Sequence, residues 1–248
     1  MARRAVVSGG GTGIGKAVAR RLASDGDEVV IVGRRIAVLE AAAARINTEI
    51  GADRVDIAVA DLTVPEEVRA VVERITASGH GIDVVINNAG GNPAAGQGDL
   101  GAIAEAYLES YRLNVVTAVL LTEALLPHVT RSGGRIVSIS SIAALRGAGA
   151  YGAAKAALHG WALGLAQRLA PEGITVNVVA PGFVPDTEFW SERLTPELAA
   201  DRIAQIPLGR AGTPEEIAAG VAHLASAEAA WTTGQILQIN GGTLLGRG

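Results

Sequence analysis

The chain has no cysteine, which excludes disulfide bonds and thiolate chemistry. Aromatic residues are scarce, at 3%, against an apolar content of 49%, so any core must be built from Ala, Val, Leu and Ile. Val and Ile favour strands and Ala and Leu favour helices. A basic excess is also missing. The 21 basic and 25 acidic side chains leave a formal charge of −4, and no long run of one sign occurs. Nucleic-acid surfaces usually carry a basic patch or stripe, so no nucleic-acid partner is expected. No uninterrupted apolar stretch is long enough to span a bilayer. The longest, Val115 to Leu126, is broken by Thr117, Thr122 and Glu123, and no membrane partner is expected. The start, Met1 to Val7, has two arginines but only a brief apolar run before Gly9, unlike a secretory signal. A cytoplasmic location is the expectation. The four histidines, His80, His128, His159 and His223, show no metal-ligand spacing. They read as surface or helix-packing residues, and no metal site is expected. Trp161 and Trp231 read as core or subunit-contact residues.

Short β-branched runs alternate with longer Ala- and Leu-rich stretches. The strand-like runs are Arg3–Ser8, Glu28–Gly33, Arg54–Val59, Ile82–Asn87, Arg135–Ser140, Thr175–Ala180 and Gln235–Ile239. The helical stretches are Ile14–Ser24, Ala37–Ile50, Pro65–Ala77, Ala104–His128, Ala150–Ala170 and Pro214–Leu224. Thr213-Pro214-Glu215-Glu216 is a strong helix start, and Thr63 before Pro65-Glu66-Glu67 is a less regular one. This alternation predicts right-handed βαβ units: an α/β, doubly wound, seven-stranded parallel sheet with helices on both faces. Strands buried on both sides should be apolar throughout, as Val29-Val30-Ile31-Val32 is. No linker divides the chain, which predicts one domain over residues 1–248.

The first strand leads into Ser8-Gly9-Gly10-Gly11-Thr12-Gly13-Ile14-Gly15 and then a helix. Glycines let backbone approach a pyrophosphate, and the helix N-terminus offers unpaired N–H groups and partial positive charge. Gly9, Gly11, Thr12, Gly13, Ile14 and Gly15 are therefore candidates for binding a dinucleotide on a Rossmann-type fold. The second strand ends in Gly33-Arg34-Arg35, with no Asp or Glu for adenosine ribose hydroxyls. Arg34 and Arg35 instead offer guanidinium groups to a phosphate, which favours NADP(H) over NAD(H), with Arg34 the better placed.

Tyr151 and Lys155 stand four residues apart in a helical stretch and so share a face. A nearby ammonium would lower the phenol's pKa from about 10 and let it exchange a proton near neutrality. Upstream, Arg135 to Ser141 reads as a buried strand ending in two hydroxyls. Ligands of open α/β sheets sit at the carboxyl ends of strands, so Ser141 can reach the same cleft, with Ser140 a substitute.

Together these features resemble the short-chain dehydrogenase/reductase family from Arg3 to Gly242, and within it the 3-oxoacyl-[acyl-carrier-protein] reductase-like members. Asp61-Leu62, Asn87-Asn88-Ala89-Gly90, Leu113-Asn114-Val115, Pro181-Gly182 and Gln238-Ile239-Asn240-Gly241-Gly242 match its further motifs in order. The resemblance implies a hydride transfer between nicotinamide and a ketone or secondary alcohol. Tyr151 would be the general acid/base, Lys155 would bind the nicotinamide ribose, Ser141 would polarise the carbonyl and Asn114 would hold a relay water. It also implies cofactor contacts from Asp61, Leu62, Asn88, Ala89, Gly90, Pro181, Gly182, Val184 and Thr187, and a homotetramer or homodimer.

Two departures stand out. The stretch from Ser141 to Tyr151 is about three residues short of many relatives, and one extra residue precedes Thr187. Residues 187–210 are the expected substrate lid, partly apolar through Phe189, Trp190, Leu194, Leu198 and Ile206. Glu172 and Ser132 stand where carrier-protein reductases often place basic residues, so free ketones, steroids, sugars and polyols remain open as the small-molecule substrate. The Tyr-x-x-x-Lys spacing differs from that of the family's enoyl reductases. The alternative is a non-catalytic dinucleotide-binding or regulatory protein on the same fold.

Overall fold

The computed structural model describes residues 2–93, 98–191 and 193–246. Residues 1, 94–97, 192, 247 and 248 lie outside that set, including the parts of the expected domain and lid that fall on them.

Among the described residues a seven-stranded parallel sheet runs in the order β3-β2-β1-β4-β5-β6-β7. The strands are β1 (Arg4–Ser8), β2 (Glu28–Gly33), β3 (Val55–Val59), β4 (Val84–Asn87), β5 (Arg135–Ile139), β6 (Thr175–Pro181) and β7 (Ile236–Ile239). Each of β4, β5 and β6 is buried along its whole length, as expected of strands covered on both faces. Successive residues point to opposite faces. Ala5 and Val7 thus enter one core with Ala17, Leu22, Leu39 and Val221, from helices α1 (Gly13–Ser24), α2 (Ile36–Ile50) and, later in the chain, Pro214–Ala225. Val6 enters the opposite core, with Val68 and Val72 of α3 (Pro65–Thr76) and with Leu121 and Leu165. Each fully buried Leu, Ile or Val contributes about 1.5–3 kcal/mol. Two aliphatic cores therefore hold the sheet without aromatic bulk.

The chain between β4 and β5 departs from expectation. In place of one helix over 104–128 there is α4 (Leu100–Tyr111), a π-helical turn (Arg112–Val116), α5 (Thr117–Leu125) and a short 3-10 turn (Leu126–His128). Asp99 caps α4 by accepting from the Ala102 N–H at 2.9 Å. Further on come α6 (Ala143–Arg146), α7 (Gly149–Leu169), α8 (Pro196–Ala204) and α9 (Pro214–Ala225). Thr213 starts α9 with the expected capping box: its hydroxyl accepts from Glu216 N at 3.3 Å and the Glu216 carboxylate accepts from Thr213 N at 3.0 Å. Thr63 does not cap α3. It donates instead to Asp61, and Val64 occupies the cap position.

No helix among the described residues is long and apolar enough to cross a membrane. The strand order reverses between β1 and β4, which opens a crevice at their carboxyl ends.

Candidate active site

A cleft of about 870 Å³ lies at that reversal. Its walls carry every catalytic and cofactor-binding candidate named from the sequence except Gly15. It runs from Arg34, Arg35, Asp61 and Leu62, past the glycine loop, to Asn88, Ala89, Gly90, Asn114, Ser141, Tyr151 and Lys155, with Pro181, Gly182, Val184 and Thr187 opposite. Gly15 has a different role. A Cβ there would lie 2.2 Å from the Gly9 carbonyl oxygen, so its bareness lets α1 pack onto the loop, and it does not face the cleft.

The loop is braced from behind. The Ser8 hydroxyl donates to Ile86 O at 3.2 Å and accepts from the N–H groups of Asn88 and Ala89 at 2.9 and 3.0 Å. The Asn88 amide donates to Ser8 O and Gly9 O at 3.0 and 3.1 Å. β1 and β4 are thereby joined at their carboxyl ends, and Gly9 N–H ties the loop to β2 by donating to Val32 O at 2.7 Å. At the far end Arg34 lies 3.8 Å from Asp61, and both side chains are part-exposed. Burial works against the Asp61 carboxylate, but hydrogen bonds from Thr63 and the charge of Arg34 outweigh it and set its pKa below the ordinary value. Arg35 turns the other way, to Glu188 at 2.6 Å, and Thr12 donates to the same carboxylate at 3.3 Å.

At the reacting end, β5 delivers Ile139, Ser140 and Ser141 to the start of α7. Lys155 is buried, and its Nζ donates to Ile139 O at 2.9 Å. Ser141 hydrogen-bonds the Tyr151 phenol. Tyr151 and Lys155 do share a face, with Nζ 5.8 Å from the phenol ring centroid. The expected acidification is not found. Burial pushes the phenol up to about 12, with only the Ser141 hydrogen bond acting against it, and burial pushes the ammonium down to about 8. The reason is geometric: Nζ is committed to the Ile139 carbonyl, and desolvation outweighs what charge it directs at the phenol.

Asn114 lies in the π-helical turn. Its amide donates to Gly91 O at 2.6 Å and Ser110 O at 2.9 Å, and its Oδ1 accepts from Gly91 N at 3.2 Å. A widened turn is what lets this side chain reach the loop after β4. Such turns favour functional sites, and no residue pattern announces them.

The expected lid residues Phe189 and Trp190 line the cleft, and the sequence did not single out Arg193 beside them or the role of His159 behind it. Phe189 lies against Tyr151, ring centroids 5.3 Å apart, and Trp190 meets Phe189 edge-on at 5.1 Å. Arg193 stacks over Phe189 and hydrogen-bonds Asn92 O. His159, expected at a surface or helix contact, is buried one turn beyond Lys155, with Nε2 2.7 Å from Ser140 Oγ. Its neighbours come from β5, nineteen positions away, so nothing local marks it.

Residues 9–243 match the family described as enoyl-(acyl carrier protein) reductase, and the chain belongs to this short-chain dehydrogenase/reductase family. It is accordingly an NAD(P)(H)-dependent oxidoreductase acting between a ketone and its alcohol. It is 37% identical over 245 residues to nodulation protein G of Rhizobium sp. (strain N33), covering 97% of this chain and 96% of that one. It is 36% identical over 245 residues to the 3-oxoacyl-[acyl-carrier-protein] reductase FabG of Escherichia coli (strain K12), covering 96% of both. Among solved structures it resembles a variant of actinorhodin polyketide ketoreductase with NADPH (TM-score 0.87, 31% identity, 98% of this chain and 97% of that one). It also resembles a short-chain dehydrogenase from Burkholderia cenocepacia J2315 in complex with NADP (TM-score 0.86, 35% identity, 97% of both chains).

Proposed function

We propose that this chain is an NADPH-dependent ketoreductase with Tyr151 as its proton donor. The observation that carries this reading is the convergence of Tyr151, Ser141 and Lys155 on one end of a cleft whose other end holds a glycine loop and Arg34. The cleft fits a dinucleotide. It is long, its loop backbone is bare, and a Cβ on Gly13 would touch Thr187 at 3.2 Å, so the wall closes where a pyrophosphate would lie. NADP(H) is favoured by the guanidinium of Arg34 and by the ligands named for the two solved neighbours.

The bound cofactor supplies the hydride. Tyr151 keeps its proton throughout the neutral range and is therefore matched to donating it to a carbonyl oxygen. Ser141 orients that oxygen through its own hydroxyl. Lys155 has three N–H groups; one is spent on Ile139 O, and the others are available to ribose hydroxyls and the phenol side of the cleft. Asn114 holds the loop bearing Gly90 and Gly91 and connects the Lys155 end to water. Asp61, Leu62, Asn88 and Ala89 flank the adenine half, and Pro181, Gly182, Val184 and Thr187 flank the nicotinamide half. Residues 187–210 act as a lid over one domain. Phe189 and Trp190 make its inner side aromatic, which suits a ketone with an apolar portion.

Turnover of a ketone panel with NADPH tests this reading. Wild type should turn over at least one ketone, and Tyr151→Phe should lose about 10²- to 10⁴-fold in kcat. Cofactor binding with no turnover of any ketone or alcohol would favour the non-catalytic alternative.

A homotetramer is proposed as well. Leu100, Leu108, Tyr107 and Tyr111 leave α4 with an exposed apolar face, and Trp231 is fully exposed. Contiguous apolar surface of this kind marks association sites. Light scattering tests the assembly. A cytoplasmic location is proposed with it, and cell fractionation tests that.

A further inference from the structure

We infer that His159 is a positioning residue for the Tyr151–Lys155 pair, acting through Ser140. The inference rests on the ketoreductase reading above and concerns a group that reading leaves unused.

Residues 151, 155 and 159 lie at successive four-residue steps of α7 and so form one stripe on the helix. Three consecutive residues at the end of β5 meet that stripe. The Ile139 carbonyl accepts from Lys155 Nζ at 2.9 Å, the Ser140 hydroxyl meets His159 Nε2 at 2.7 Å, and the Ser141 hydroxyl meets Tyr151. Two of these three rungs belong to the proposed machinery. The third is the shortest measured one, and His159 does not line the cleft, so its influence must pass through Ser140.

The proton arrangement follows from counting donors. The Ser140 hydroxyl has one hydrogen, and it donates to the Lys155 carbonyl at 3.2 Å. With that hydrogen on the Lys155 carbonyl, the tautomer that carries its proton on Nε2 donates to Ser140 Oγ. The ring is held neutral, because burial and then the Lys155 charge both act against an imidazolium. Ser140 is also fixed by its N–H, which donates to Val179 O at 2.8 Å. His159, Ser140 and the Lys155 backbone thus form a closed bridge between β5 and α7. Through that bridge the position of Ser140 sets its two neighbours: the carbonyl that aims Lys155 and the hydroxyl that meets the phenol. Small displacements of such groups are costly in rate because reacting atoms must be aligned to a fraction of an ångström.

Two substitutions separate positioning from mere filling. His159→Gln keeps an N–H donor at similar reach, whereas His159→Leu fills the space without one. kcat and KM for a turned-over ketone would be measured at saturating NADPH, with NADPH affinity by fluorescence and the thermal midpoint alongside. His159→Leu should lower kcat about tenfold with KM and NADPH affinity within about twofold, and His159→Gln should stay within about threefold of wild type. Full kcat in His159→Leu, or equal losses in both variants that track the thermal midpoint, would overturn the inference. Should the Leu variant not fold, His159→Ala combined with Ser140→Ala supplies the answer. Each should lose kcat by itself and the double variant no more than the larger single loss, whereas additive losses overturn the proposal. If wild type turns over no ketone, the functional reading itself fails. If wild type is active and only these variants are indifferent, the ketoreductase reading stands without His159.

Discussion

The carboxylate of Glu188 sits 2.6 Å from the Arg35 guanidinium and joins it to the phosphate loop through Thr12, spanning 153 and 176 positions of sequence. Both charged partners are more than half exposed, so the pair contributes at most about 1 kcal/mol to stability. Its significance is mechanical, as a clasp between the lid and the cofactor end of the cleft. Glu188→Gln is therefore expected to leave the thermal midpoint unchanged and to speed NADPH release about threefold to fivefold, measured by stopped-flow fluorescence. Tighter NADPH binding in the variant would mean that Glu188 competes with the cofactor and does not retain it.

The clasp also divides the labour of the two arginines. Arg35 is taken by Glu188, while among the described residues Arg34 has only Asp61 at 3.8 Å. Loss of a charge-assisted hydrogen bond amounts to about 1.5–3 kcal/mol, or about 10- to 150-fold in affinity. Arg34→Ala should weaken NADPH binding by that factor and leave NADH binding within about twofold. Equal effects on both cofactors would remove Arg34 from phosphate recognition.

Gly90 is a second point of precision. A Cβ there would lie 2.5 Å from Asn114 Oδ1 and 3.3 Å from Lys155 Nζ. Gly90→Ala must push aside the amide that holds Gly91, and with it the ammonium. A fall in kcat of about tenfold or more is expected, with the fold retained by circular dichroism. Unimpaired turnover would show that the loop after β4 yields without disturbing the proposed relay.

The buried lysine predicts a pH signature. Its pKa is depressed to about 8 from 10.5, so between these values the unfolded chain binds more protons than the folded one. Stability should rise with pH across that window through this group, because the cost of burying the charge is relieved as Lys155 deprotonates. Denaturant midpoints of wild type should show this rise and those of Lys155→Met should not. Tyr151 has the opposite sign: raised to about 12 from 10.0, it makes stability fall as pH climbs between those values.

Much of this architecture was legible along the chain. Val29 to Val32 and Val84 to Ile86 announce buried parallel strands by being apolar without alternation, and Thr213 to Glu216 announces a helix by its caps. The glycine loop, the arginines after β2 and the four-residue spacing of Tyr151 and Lys155 are local patterns whose meaning comes from repeat periods and turn chemistry. They suffice to state the fold and to nominate the cleft residues.

Other properties depend on which distant groups meet. The π-helical turn at Asn114 answers to the loop it must reach, and no periodicity encodes it. The high phenol pKa and low ammonium pKa come from burial, and the direction of Nζ comes from a carbonyl on β5. Glu188 meets Arg35, and His159 meets Ser140, only because the sheet brings its carboxyl ends together. Local propensity acts over a few residues, whereas desolvation and hydrogen bonding act over a few ångströms, and folding alone converts one distance into the other.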